Sequence, residues 1–358
     1  MIHGSPQQPN TQTETMNTTL DWRLLKKLYA IHSPSGKEER MMNFLISYLK
    51  SLPGNIKLGK DSYGNLYAIK GESKAFPAIV CHADQVQRNH SKDFKAIETR
   101  DIIFGYSPSN HQIEGLGADD KNGVLIALEA LKKYDSLKAV FFKEEETGCG
   151  GSSHCELSFF NDCRFIIQCD RRGNSDLITS IGCIDLCSEK FIQDIDPETY
   201  NYKCEVGLMT DVETLKERGL SVSAVNISCG YYNPHTDEEI TVKRDLEKCW
   251  KFVQHIIEDC TETYPHEVGE NGCYGYYDEW EIEDEIHSII QQDPTMTASD
   301  LYDTYQPNFP MLKLKDFERI VEEYHQWYGE SDEEETLTQT FRPDGNEEDD
   351  PQILGFTG

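Results

Sequence analysis

The chain has 358 residues, 37% of them apolar and 27% charged, a length that suits one large domain with an appendage, or two domains, at about 100–200 residues per domain. Its 34 Lys+Arg against 64 Asp+Glu leave a net charge of -30, which repels nucleic acid and anionic membranes and excludes both as expected partners. No stretch offers the ~20 consecutive apolar residues of a membrane helix, and the start has no apolar signal-peptide core, so a soluble cytoplasmic protein is expected.

Residues 1–16 are polar and read as a flexible leader. Trp22, Leu24, Leu25, Leu28 and Tyr29 recur at helical spacing. After the breaker His32-Ser33-Pro34-Ser35-Gly36, a second helix carries Met41, Met42, Phe44, Leu45 and Leu49. Apolar runs at 66–69, 78–81, 139–142, 165–169 and 222–228 have strand length. Helical patterns occupy 123–133, 212–218 and 243–259. Strands alternating with helices predict an α/β fold, a mixed, mostly parallel sheet with helices on both faces, spanning 17–264. The cysteines fall largely inside apolar runs, as at Cys81, Cys169 and Cys229, and read as reduced core thiols.

Beyond Tyr264 the composition changes. Residues 265–358 hold 25 acidic and 4 basic residues. Amphipathic stretches at 280–291, 298–305 and 314–327 predict a small C-terminal helical appendage over 265–329, and 330–358 reads as a disordered acidic tail.

Three apolar runs each end in a potential metal ligand. Ala78-Ile79-Val80-Cys81 leads into His82-Ala83-Asp84, Ala139-Val140-Phe141-Phe142 into Lys143-Glu144-Glu145-Glu146, and Phe165-Ile166-Ile167-Gln168-Cys169 into Asp170. In open α/β sheets the ligand crevice lies beyond the carboxyl ends of the strands, so these residues are expected to converge. The glycine-rich turn at 115–123 adds Asp119 and Asp120, which are also placed to cap a helix. Gly230-Tyr231-Tyr232-Asn233-Pro234-His235 adds an imidazole. Two imidazoles with at least three carboxylates suit zinc, and tolerate cobalt or manganese. Asp211, in Met209-Thr210-Asp211, reads as a helix N-cap and not as a site residue.

The ordered series His-x-Asp, Gly-x-Asp-Asp-Lys-x-Gly, Glu-Glu-x-Gly, Asp and His, over residues 20–262, resembles the co-catalytic di-zinc exopeptidases related to peptidase T, aminoacylase and the zinc aminopeptidases. The opening at 32–39 is similar to the start of that clan. The resemblance implies two zinc ions bridged by Asp119, one also held by His82 and Asp170, the other by Glu146 and His235. It further implies Asp84 behind His82, Glu145 as general base toward a metal-bridging water, and a cis peptide between Asp119 and Asp120. The activity implied is metal-dependent amide hydrolysis by an exopeptidase, an aminopeptidase or dipeptidase acting on small peptides. An N-acyl amino acid deacylase would use the same site. A non-catalytic protein on this fold, binding a partner through its appendage and tail, is the third reading. Peptidase T and aminoacylase carry a lid or dimerisation domain between the positions matching Asp170 and His235. Only 65 positions separate them here, so a lidless domain is expected, without the family's usual guide to oligomeric state.

Overall fold

The computed structural model describes residues 20–87, 89–182, 184–268, 279–293, 295–305, 309 and 312–328. The leader expected over 1–16 and the tail expected over 330–358 lie outside the described residues. Helix α1 (Trp22–Tyr29) is capped by Asp21, whose carboxylate accepts from the N–H groups of Arg23 and Leu24. α2 (Glu39–Ser51) follows, and both helices bury the apolar positions expected of them, Leu24 and Leu28 on one, Met41 and Leu45 on the other.

Next come β1 (Ile56–Lys60), β2 (Leu66–Lys70), β3 (Phe76–His82), β4 (Lys95–Glu98), β5 (Ile102–Ser107) and β6 (Gln112–Glu114). The middle of the chain forms α3 (Ala118–Lys133), β7 (Leu137–Phe142), α4 (Gly150–His154), β8 (Cys163–Arg171), β9 (Asp176–Ile181) and β10 (Ile184–Asp185). Then follow α5 (Glu189–Ile195), β11 (Lys203–Gly207), α6 (Asp211–Glu217), β12 (Ala224–Ser228), β13 (Tyr231–Tyr232), β14 (Ile240–Val242) and α7 (Lys243–Asp259). The C-terminal helices are α8 (Glu279–Gln292), α9 (Ala298–Tyr305) and α10 (Leu314–Tyr328).

The principal sheet runs β1-β2-β7-β3-β8-β12-β9-β10, with β11 paired to β9. Its centre, β7-β3-β8-β12, is parallel. Antiparallel pairs flank it. Successive side chains of a strand point to opposite faces. Ile79 and Cys81 of β3 therefore join a core built with α1, α2, α3, α5 and α7, whereas Ala78 and Val80 join a second one with Val212 and Leu215 of α6. With both faces covered, the central strands are largely apolar, which is why they stood out as runs. Between Asp170 and His235, strands β9 to β12 all pair within this sheet.

A second sheet, β13-β14-β5-β4 with β6 on β5, was not expected from the sequence. Its strands are short, and the one apolar run among them, Ile102-Ile103-Phe104 of β5, is only three residues long and alternates half-buried with buried positions. α3 starts at Ala118, earlier than expected, although Asp119 and Asp120 keep non-helical dihedrals in its first turn.

Past Tyr264 the chain is still paired with the main body, Pro265 opposite Val222 and the His266 N–H donating to the Ser221 carbonyl at 2.9 Å. The C-terminal helices bury Ile286, Ile290, Leu301, Phe309, Phe317 and Ile320 in a core of their own, against which Leu208 of the main body packs. The described cysteines are free, and all but Cys204 are buried. No described helix is long and apolar enough to cross a membrane.

Two consequences can be measured. A Cβ on Gly123 would clash with the Asp120 carboxylate, which already accepts the Gly123 N–H at 3.0 Å. Gly123→Ala should therefore cost about 1–3 kcal/mol through overpacking, outweighing a helix-propensity gain of about 0.5–1 kcal/mol. A fall in the denaturant midpoint at constant slope would register it. On α6, burial pushes the Glu213 carboxyl from 4.5 up to about 7. The contribution of this carboxyl to stability is thus full below the lower value and is lost as pH rises through the upper one. Glu213→Gln should flatten that part of the stability profile in pH-dependent unfolding.

Candidate metal centre

The parallel centre of the sheet delivers the site. His82 ends β3, Asp170 lies near the end of β8, and Glu145 and Glu146 occupy the loop between β7 and α4. Asp119 comes from the turn opening α3, and His235 from the turn between β13 and β14. Asp119 sits between the two histidines, Oδ1 at 3.1 Å from His82 Nε2 and Oδ2 at 3.4 Å from His235 Nε2. His82 Nε2 is also 3.6 Å from Asp170 Oδ1 and 3.8 Å from Glu145 Oε2. His235 Nε2 is 3.1 Å from Glu146 Oε2. Two halves therefore share Asp119, His82 with Asp170 and His235 with Glu146.

Buried carboxylates organise the surroundings. Asp84 faces His82 Nδ1 at 3.3 Å, and it accepts the N–H groups of Glu145 at 3.1 Å and Glu146 at 3.2 Å. Ser35 Oγ donates to it at 2.8 Å, so the opening segment at 32–39 braces the same carboxylate. One side chain thereby aims both the imidazole and the Glu-Glu turn. Asp120 accepts the His82 N–H at 3.2 Å and the Gly123 N–H at 3.0 Å, capping the regular part of α3 while clamping the end of β3. The peptide between Asp119 and Asp120 is cis. His235 and Glu144 have φ of 67° and 54°, left-handed values that cluster at functional sites in non-glycine residues.

Burial pushes the Glu145 and Asp170 carboxyls well above the ordinary range, and neighbouring carboxylates push the same way. Burial also raises Asp119, yet hydrogen bonds from His235 and His82 prevail and hold it below the usual carboxylate range. So many buried carboxylates repel one another unless a cation balances them.

The donor set fits such a cation. Two ligands about 2.0–2.2 Å from a tetrahedral zinc stand about 3.3–3.6 Å apart; the contacts of the two histidines with Asp119, Asp170 and Glu146 span 3.1 to 3.6 Å. Ligand atoms of His82, Asp119 and Glu146, and those of His82, Asp120 and Asp170, lie within 4.8 Å of one another. Glu146 Oε1 is buried without a hydrogen-bond partner among the described residues, as an oxygen reserved for a metal would be.

Five residues near the site were not assigned to it from the sequence: Asp211, Gln168, Glu239, Asn226 and Tyr231. Thr210, not Asp211, is the N-cap of α6. Asp211 is fully buried in the first turn, where burial pushes its carboxyl up to about 7. Gln168 Nε2 donates to it at 3.5 Å and to Asp170 Oδ2 at 3.0 Å. Glu239 accepts the Asp119 N–H at 3.1 Å. Asn226 brackets Asp170, accepting its N–H and donating to its carbonyl, each at 2.8 Å. Tyr231 donates its hydroxyl to Asp170 Oδ1 at 3.3 Å. A polar Asn inside an apolar strand was a usable signal; Glu239, in a charged stretch, had none. The cluster opens on a cleft of about 660 Å³, within the size range of small-ligand sites.

No protein-family model and no curated protein matches the chain. Solved structures do match. The aminopeptidase PepT from Bacillus cereus is 14% identical with a TM-score of 0.54, over 67% of this chain and 98% of that one. A tripeptidase from Staphylococcus aureus is 14% identical with a TM-score of 0.52, over 66% of this chain and 96% of that one. An aminopeptidase from the archaeon Desulfurococcus kamchatkensis is 18% identical with a TM-score of 0.50, over 66% and 94% respectively. The chain thus has the α/β fold of these peptidases.

Proposed function

We propose that this protein is a metal-dependent exopeptidase that hydrolyses small peptides with two zinc ions. The observation that carries the reading is Asp119, one carboxylate oxygen turned toward each of two histidine–carboxylate pairs. A fold shared with aminopeptidases and a tripeptidase favours a peptide over an N-acyl amino acid as substrate. His82, Asp119 and Asp170 would hold one ion; Asp119, Glu146 and His235 would hold the other. When bound, the ions polarise an amide carbonyl and lower the pKa of water.

The chain's own groups do the rest. Asp84 holds the His82 ring from the Nδ1 side, which leaves Nε2 facing inward. Glu145 carries the proton. Its side chain is 12% exposed and lines the cleft, and its Oε1 accepts from Cys149 Sγ at 3.7 Å. Burial, which raises its proton affinity, tunes the carboxylate to take a proton from water and return it to the leaving amine.

Elemental analysis of the purified full-length protein should find about two zinc ions per chain, lost in Asp119→Ala. A wild-type protein that takes up no metal even after zinc addition would overturn the proposal. Glu145→Gln should keep its metal and lose about 10²–10⁴-fold in peptide turnover. Undiminished turnover would dismiss Glu145 as the base, and faster cleavage of N-acyl amino acids than of peptides would make the protein a deacylase.

A further inference from the structure

We propose that the C-terminal helices form a substrate-selecting wall of the cleft, on which His287, Gln291 and Tyr324 receive the part of a short peptide that extends beyond the residue held at the metal centre. The inference rests on the peptidase reading above and deepens it.

α8 has two faces. Ile286, Ile289 and Ile290 turn into the core that the three helices share. His287 and Gln291, four residues apart and so on one face, line the same cleft as Asp119, Glu145 and His235. Tyr324 of α10 joins them there, its ring centroid 5.4 Å from that of His287. The polar side of a surface helix ordinarily faces bulk water; here it faces the cavity that holds the acidic cluster.

The charge pattern fits a role in binding. α8 opens with Glu279, Glu281, Glu283, Asp284 and Glu285, yet from Ile286 to Gln292 it carries no acidic residue. In a chain of net charge -30, the stretch that meets the cleft is the uncharged one. Acids there would repel the carboxylates of an approaching peptide. A ring pair and an amide instead offer stacking area and hydrogen bonds to a peptide chain.

The wall is also held in register with the metal ligands. Leu208 both packs on the core of the helices and lines the cleft. Two residues on, Thr210 Oγ1 donates to Gln168 Oε1 at 2.8 Å, and Gln168 Nε2 donates to Asp170 Oδ2 at 3.0 Å. One short segment thus seats the helices and orders the environment of Asp170. A single aminoacyl group at the metal centre has no need of this wall, whereas the further residues of a tripeptide must lie elsewhere in the cleft that His287, Gln291 and Tyr324 line.

The test compares binding of a tripeptide and of an aminoacyl amide to zinc-loaded, full-length Glu145→Gln by calorimetry. His287→Ala and Gln291→Ala, added singly, should weaken the tripeptide about tenfold more than the aminoacyl amide. In the protein with Glu145 intact, the same changes should raise KM for the tripeptide more than they lower kcat. Gln291 is exposed, so its replacement leaves the core of the helices untouched, and an unchanged thermal midpoint would verify this. Equal weakening of both ligands, or of neither, overturns the wall. Should Glu145→Gln itself bind neither zinc nor tripeptide, the peptidase reading fails first, and this inference with it.

Discussion

Four of the candidate site's side chains depend on the parallel pairing of β7, β3, β8 and β12. Parallel strands end together, so whatever follows their last apolar residue meets at one edge of the sheet. Because helices cover both faces, the strand ends are where the chain can change from apolar to charged without stranding a charge in the core. His82, Glu145, Glu146 and Asp170 occupy those positions. The price of gathering them is electrostatic: burial and mutual repulsion lift most of these carboxyls above their ordinary range. A divalent cation would relieve that repulsion, so the acidic cluster and the proposed metals explain each other.

Around this cluster, backbone groups that would otherwise be orphaned are spent on aiming carboxylates. Asp84 takes two N–H groups from the Glu-Glu turn, Asp120 takes one each from β3 and α3, and Glu239 takes that of Asp119. Apart from the Asp120–Gly123 bond inside α3, each bond joins segments far apart in sequence. Buried polar groups satisfied in this way rigidify their surroundings. The geometry of the site and the stability of the strand ends are for that reason one problem.

The C-terminal helices add a second body with its own apolar core, joined to the first through Leu208. Their acids are unevenly placed, dense at the start of α8 and absent from its cleft-facing half. If the wall reads peptide length, selectivity here comes from the C-terminal helices, while the proposed chemistry stays with the strand ends. Such a division lets one change without disturbing the other.

The sequence by itself determined what is local or strongly periodic. Central strands buried on both faces read as apolar runs, and the ligand residues stood directly after them. α7 and α9 begin and end at the residues expected, because their apolar spacing runs unbroken, with α9 set between Pro294 and Pro307. Only the tertiary structure decided the rest. The second sheet has short strands with half-buried positions, whose pattern resembles ordinary loop. Asp211 is equally at home at an N-cap or inside a first turn, and packing beside Gln168 buries it. His287 and Gln291 belong to the polar face of an amphipathic helix, and periodicity marks that face without saying what it will face. Periodicity and propensity are properties of neighbours along the chain; burial, and the choice between solvent and cleft, come from residues brought together across it.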